Sequence, residues 1–222
     1  MPTLHIKKCN MDRNSPDAYI EPSVEASITA TKTLISHIRT LTSTYHTPSS
    51  VASLPLVHPI LTPRFAISCT SSLLTSLGDL ATSDPSLRIQ THISENPSEI
   101  LFTKSLFPEC TSYAGVYDSF GLLRSNSILS HAVHLEEEEM ELIAKRKAGV
   151  SHCPTSNFNL SSGVARVGEL LDRGIKVRGF PLVKQYRYID VTLRRLGWER
   201  TSQAGSLPRS STASKLQALP PR

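Results

Sequence analysis

The segment Leu87-Arg88-Ile89-Gln90-Thr91-His92-Ile93-Ser94-Glu95-Asn96 sets the reading of the whole chain. Up to His92 it alternates, with Leu87, Ile89 and Thr91 on one face and Arg88, Gln90 and His92 on the other. That is the period of a strand. One face suits packing under helices, while the other is polar for a buried strand. The strand ends on an imidazole, and a carboxylate follows three residues later. A strand-end His can bind a divalent metal, and a nearby Glu can take a proton from metal-bound water. The same spacing also fits a solvated loop His followed by a Glu at a helix N-terminus.

Working outward, strands and helices alternate. Apolar residues from Ser23 to Leu41 recur at helical spacing, with Ser23 as N-cap and Glu25 in the first turn. Leu56 to Thr62 reads as a strand despite Pro59, and Ser71 to Leu80 as a helix. After the central strand, Asn96 to Phe107 reads as a helix, Ser127 to His131 as a strand and Glu136 to Lys147 as a helix closed by Gly149. Val150 to Cys153 is the next strand, followed by a polar loop, a helix from Gly163 to Arg173 and a strand from Ile175 to Val177. This alternation predicts an α/β fold with a parallel sheet, and its polar groups gather where strands pass into loops. In a (β/α) barrel that is the catalytic face.

Composition narrows the functional classes. The 222 residues carry a net charge of +5. From Arg178 onward there are nine Lys/Arg against two Asp/Glu, so the segment 178–222 carries +7 and the body −2. The body therefore gives no reason to expect a nucleic-acid partner. Residues 201–222 hold few large apolar side chains and read as disordered. The four cysteines are dispersed without a C-x-x-C pair, which suits reduced thiols in the cytoplasm. No apolar run approaches the roughly 20 residues that span a bilayer, so no membrane partner is expected.

Other strand ends add candidates. Arg64 and Phe65, in Thr62-Pro63-Arg64-Phe65, could grip a flat heterocycle by hydrogen bonding and stacking, or be a surface Arg beside a buried Phe. His131, in Ser130-His131-Ala132-Val133-His134, could contact substrate or water, or be a satisfied core His. His152 and Cys153 are adjacent, so a regular strand points them to opposite faces and cannot give both to one metal. Glu136 to Glu139 reads as a solvated helix start.

Taken in order, Thr62-Pro63-Arg64-Phe65, Gln90 to Asn96, Val116-Tyr117-Asp118, Ser130-His131-Ala132, Ser151-His152-Cys153-Pro154-Thr155-Ser156-Asn157 and Leu160-Ser161-Ser162-Gly163 resemble the guanine deaminases. Those enzymes belong to the metal-dependent amidohydrolase superfamily of (β/α)8 barrels. The resemblance runs from Cys9 to Val177. It implies an incomplete TIM-type barrel of about strands 3 to 7, preceded by an atypical start at 1–8 and followed by a basic tail at 178–222. It also implies zinc-dependent deamination of guanine to xanthine and ammonia, with a homodimer possible. His92 takes the place of a zinc ligand, Glu95 that of the acid/base, and His131 that of a histidine touching water or substrate. Arg64 and Phe65 match the pair that holds the purine.

The departures from the pattern matter equally. No H-x-H occurs in the sequence, and Lys176-Val177 is followed by Arg178-Gly179-Phe180 rather than Gly-Thr-Asp. The match therefore supplies one of the family's four metal ligands, and the expectation is a chain without activity. A catalytically dead binding partner, or a deaminase of another heterocycle such as cytosine or a triazine, are the alternatives.

Overall fold

The computed structural model describes residues 4–44 and 57–179. Expectations placed on the segment from 180 onward lie outside the described residues. Six parallel strands form one sheet in sequence order: β1 (Leu4–Asn10), β2 (Val57–Pro63), β3 (Arg88–Ile93), β4 (Ser127–His131), β5 (Gly149–His152) and β6 (Lys176–Gly179). Helices fill the crossovers: α1 (Val24–Thr44), α2 (Ser71–Ser83), α3 (Pro97–Leu106), α4 (Tyr113–Ser119), α5 (Glu137–Arg146), α6 (Pro154–Asn159) and α7 (Val167–Asp172). Consecutive parallel strands joined by helices are the βα units expected from the sequence. β1 is a strand that the sequence pattern did not suggest. Its residues alternate poorly, and its pairing comes from seven register positions along β2.

The two faces of the sheet differ as β3 foretold. Ile89, Thr91 and Ile93 are buried and Arg88, Gln90 and His92 are less so. Register carries the division across the sheet: Leu61 pairs with Ile89, Thr91 with Leu129, and Leu129 with Val150. Leu61, Ile89, Leu129 and Val150 join Leu73, Leu74 and Leu77 of α2 and Met140 and Ile143 of α5 in one core. Each such aliphatic side chain contributes about 1.5–3 kcal/mol when fully withdrawn from water. The opposite face carries Gln90, whose Nε2 donates to Thr62 Oγ1 at 3.1 Å, and Arg88, 2.8 Å from the His5 ring nitrogen.

Three local details differ from the sequence reading. The segments after Cys110 and Cys153, read as loops, contain α4 and α6. α5 ends on Lys147 in the left-handed conformation (φ 58°), while Gly149 already belongs to β5. Glu139 is buried rather than solvated. Its carboxylate accepts from the Glu136 and Ala114 amides, both at 2.9 Å, so it serves at once as a helix cap and as a tie to α4. No helix among the described residues is long and apolar enough to cross a membrane.

Candidate functional site

Arg64 and Phe65 follow β2, which Pro63 ends. The Arg64 amide donates to the Asn10 carbonyl (3.3 Å), and the His92 amide donates to the Arg64 carbonyl (3.1 Å). The same carbonyl also takes the His92 ring nitrogen Nδ1, at 2.6 Å. A carbonyl can only accept, so Nδ1 carries the proton and Nε2 keeps its lone pair. Burial lowers the His92 pKa below its ordinary value, outweighing the hydrogen bond to the Arg64 carbonyl, which raises it, and the charges of His131, Lys7 and the Arg64 guanidinium also lower it. The ring is thus held neutral and oriented, as a metal-ligating imidazole must be. Phe65 meets it edge-on with centroids 6.2 Å apart, and the Arg64 guanidinium lies 5.4 Å from the Phe65 ring centre.

Beyond Ile93 the chain reverses at Ser94, which has φ 47°. The Ser94 carbonyl accepts from the amides of Val133 (3.1 Å) and His134 (3.0 Å), binding this turn to the one after β4. Glu95 and Asn96 then enter α3 through a capping box. Asn96 Oδ1 accepts from the Glu99 amide (2.9 Å), while the Glu99 carboxylate accepts from the amides of Glu95 (2.9 Å) and Asn96 (3.3 Å). The Tyr113 hydroxyl donates to the other Glu99 oxygen at 2.8 Å. The Glu95 backbone is therefore fixed from two elements.

His131 reaches the site by an unexpected route. It lies opposite Ile93 in the ladder, and strand alternation would turn its side chain to the helix face with Ser127 and Leu129. Instead His131 and Ala132 take left-handed torsions, φ 73° and 51°. Its ring consequently stacks on His92, with centroids 5.1 Å apart and planes 21° from parallel. Nδ1 lies 2.8 Å from Asn157 Oδ1 and 3.2 Å from Glu95 Oε1. Only the Asn157 contact has hydrogen-bond alignment, and Glu95 Oε1 remains without a partner.

Arg64, Phe65, His92, Glu95, Glu99 and Phe102 line an open cleft of about 450 Å³. Four of the five residues singled out from sequence thus line the cleft, and the buried His131 joins them through its contacts with His92 and Glu95. His134 stands beside it, its Nε2–H donating to the Ser162 carbonyl at 2.8 Å. His152 does not join the group, and its buried Nδ1 has no hydrogen-bond partner. Asn157 and Tyr117 touch His131 and the His92 carbonyl, and the sequence left both without roles. Asn157 sits in α6, read as loop, and Tyr117 contacts the site only across 25 to 51 residues. A Pro-started turn directly after a strand end was the one local sign of Asn157.

A metal centre does not assemble from these residues. Among the described residues no three His, Cys, Asp or Glu side chains converge as ligands. Hydrolytic zinc takes at least three protein ligands, and the described residues do not gather that number around His92.

Comparison with known proteins agrees with this arrangement. Residues 2–180 match the model of the amidohydrolase family. A probable guanine deaminase of Schizosaccharomyces pombe is 53% identical over 173 residues, covering 78% of this chain and 31% of that protein. Guanine deaminase from C. acetobutylicum, solved with guanine in its active site, superposes with a TM-score of 0.70 at 36% identity, covering 80% of this chain and 39% of that one. A triazine hydrolase from Arthrobacter aurescens shares the fold, with a TM-score of 0.65 at 22% identity over 80% of this chain and 37% of its own. The chain spans about a third of the length of the curated relatives it matches. With its parallel βα sheet and its strand-end rim of His92, Glu95 and His131, the chain belongs to the amidohydrolase family.

Proposed function

We propose that this chain carries the purine-holding and proton-transferring part of a guanine deaminase active centre, which exchanges the amino group of guanine for water oxygen to give xanthine and ammonia. The observation that supports the reading is the Arg64 carbonyl holding His92 Nδ1 at 2.6 Å, which brings Arg64 and the oriented imidazole to one cleft. Phe65 offers a ring face and Arg64 a fork of donors for the ring carbonyl and nitrogens. Glu95 stands next to both imidazoles and is the group able to take a proton from attacking water and deliver it to the departing amine. The relatives named guanine deaminases support guanine over other heterocycles.

Zinc belongs to this reading as the family's metal, with His92 as one ligand. The 222 residues contain no H-x-H to extend the set. By itself, then, the chain holds guanine without turning it over. Free cysteines at positions 9, 69, 110 and 153 are in keeping with a cytoplasmic setting. A homodimer, which the resemblance suggests, is part of the same proposal.

The test uses the purified chain, with zinc measured by elemental analysis, guanine loss by ultraviolet absorbance and guanine binding by calorimetry. Expected are less than stoichiometric zinc, no turnover, and binding weakened about tenfold by Arg64→Ala, the loss of roughly one charged-group hydrogen bond. Stoichiometric zinc with turnover would overturn the claim of inactivity. Binding that Arg64→Ala leaves unchanged would overturn the guanine reading.

A further inference from the structure

The geometry points to Asn157 as the positioning residue that fixes the His131 ring with its proton on Nδ1 and keeps that proton from being locked onto Glu95. His131 and Asn157 are buried, at 5% and 0% exposure. Two oxygens stand near Nδ1, Asn157 Oδ1 at 2.8 Å and Glu95 Oε1 at 3.2 Å. Asn157 turns its amide oxygen, which can only accept, toward the ring, so Nδ1 carries the hydrogen.

Of the two acceptors, only Asn157 is aligned. The Glu95 oxygen has no hydrogen-bond partner although it is buried. A neutral amide thus takes the proton that a carboxylate could otherwise hold in a charge-assisted pair, which would be the stronger bond. The result is a Glu95 oxygen that lies close to the ring without a hydrogen bond, and an imidazole whose hydrogen bond among the described residues is made by Nδ1. Under the reading proposed above, both groups stay available to water and substrate.

The position of Asn157 is built from both sides. Its amide donates to the Cys153 carbonyl (3.0 Å), and its carbonyl accepts from the Ser162 amide (2.8 Å). The short helix α6 is therefore pinned at the residue that faces His131. Asn157 Nδ2 is buried and has no hydrogen-bond partner, a leftover donor that costs about 1–3 kcal/mol.

The tautomer can be read directly from the ring ¹⁵N shifts of His131 by long-range ¹H–¹⁵N correlation on the full chain. One mildly alkaline pH suffices. The wild type is expected to show a protonated Nδ1 and a bare Nε2, and Glu95→Ala to leave that pattern in place. In the Glu95→Ala background, Asn157→Leu should release the ring into a tautomer mixture, and Asn157→Asp should restore the Nδ1–H form. A wild-type ring protonated on Nε2 overturns the inference. So does loss of the Nδ1–H form with Glu95→Ala alone, or its survival in the Glu95→Ala, Asn157→Leu double variant. If the leucine variant does not fold, the wild type and Glu95→Ala still decide. The readout needs neither guanine, zinc nor turnover, so this inference and the deaminase reading can fail separately.

Discussion

The Tyr117 hydroxyl accepts from the Ala66 amide at 3.0 Å and donates to the His92 carbonyl at 2.7 Å. A third contact, from Thr91 Oγ1, measures 2.9 Å. Tyr117 is fully buried, so one oxygen joins the Phe65 segment to the end of β3 where water cannot substitute. Tyr117→Phe should lower stability by about 1–3 kcal/mol through the stranded amide and carbonyl, seen as a lower urea midpoint at unchanged slope. Glu99 makes a prediction of a different kind. Burial raises its pKa above 4.5, outweighing the hydrogen bonds from Tyr113 and the two amides. The folded chain therefore holds this proton more tightly than the unfolded one. Its contribution is fully present below about pH 4.5 and is lost as pH rises through the folded value. Glu99→Gln should flatten the fall in urea midpoint across that window, and an unchanged slope against pH would refute the assignment. At this scale the sequence was informative where chemistry is local. Arg64, Phe65, His92, Glu95 and His131 stand at strand ends that periodicity can find. Asn157 and Tyr117 act through contacts 25 or more residues away, which no local pattern encodes.

Among the elements, α3 shows how a helix start can serve a site. Asn96 caps it, Pro97 opens it, and Glu99 closes the box back onto Glu95 and Asn96. Asn96→Ala should cost about 1 kcal/mol in denaturant titration. It should also loosen the Glu95 amide, raising its hydrogen-exchange rate relative to the core strands. The strongly patterned elements, α1, α2, β3, β4 and α5, were readable because each has a clear period and a recognisable cap or turn. β1 was not, since Lys7 and Lys8 interrupt its alternation and its partner strand defines it. α6 was not, because six residues are too few to show a helical stripe. The acidic start of α5 misled for a physical reason. A run of four glutamates suits the helix dipole, but the fourth turns inward, where the α4 amide at Ala114 receives it.

For the molecule as a whole, the six strands run in sequence order, and residues of β2 to β6 pack into one core with the helices. Leu129 lies fully buried in that core on β4. Leu129→Ala should destabilise by about 2–5 kcal/mol, measured by thermal or urea unfolding, because the surrounding strands cannot close the cavity. The parallel arrangement brings residues 64, 92, 131 and 157 to one rim although they are widely spaced in the chain, and fold class alone allowed that rim to be anticipated from sequence. The left-handed pair His131 and Ala132 has a consequence for anyone who would transplant this rim into another scaffold. Copying the five side chains onto ideal strands would send one imidazole to the far side of the sheet, among the helices. The two backbone torsions have to travel with the side chains, and a host whose fourth strand runs straight cannot accept the graft.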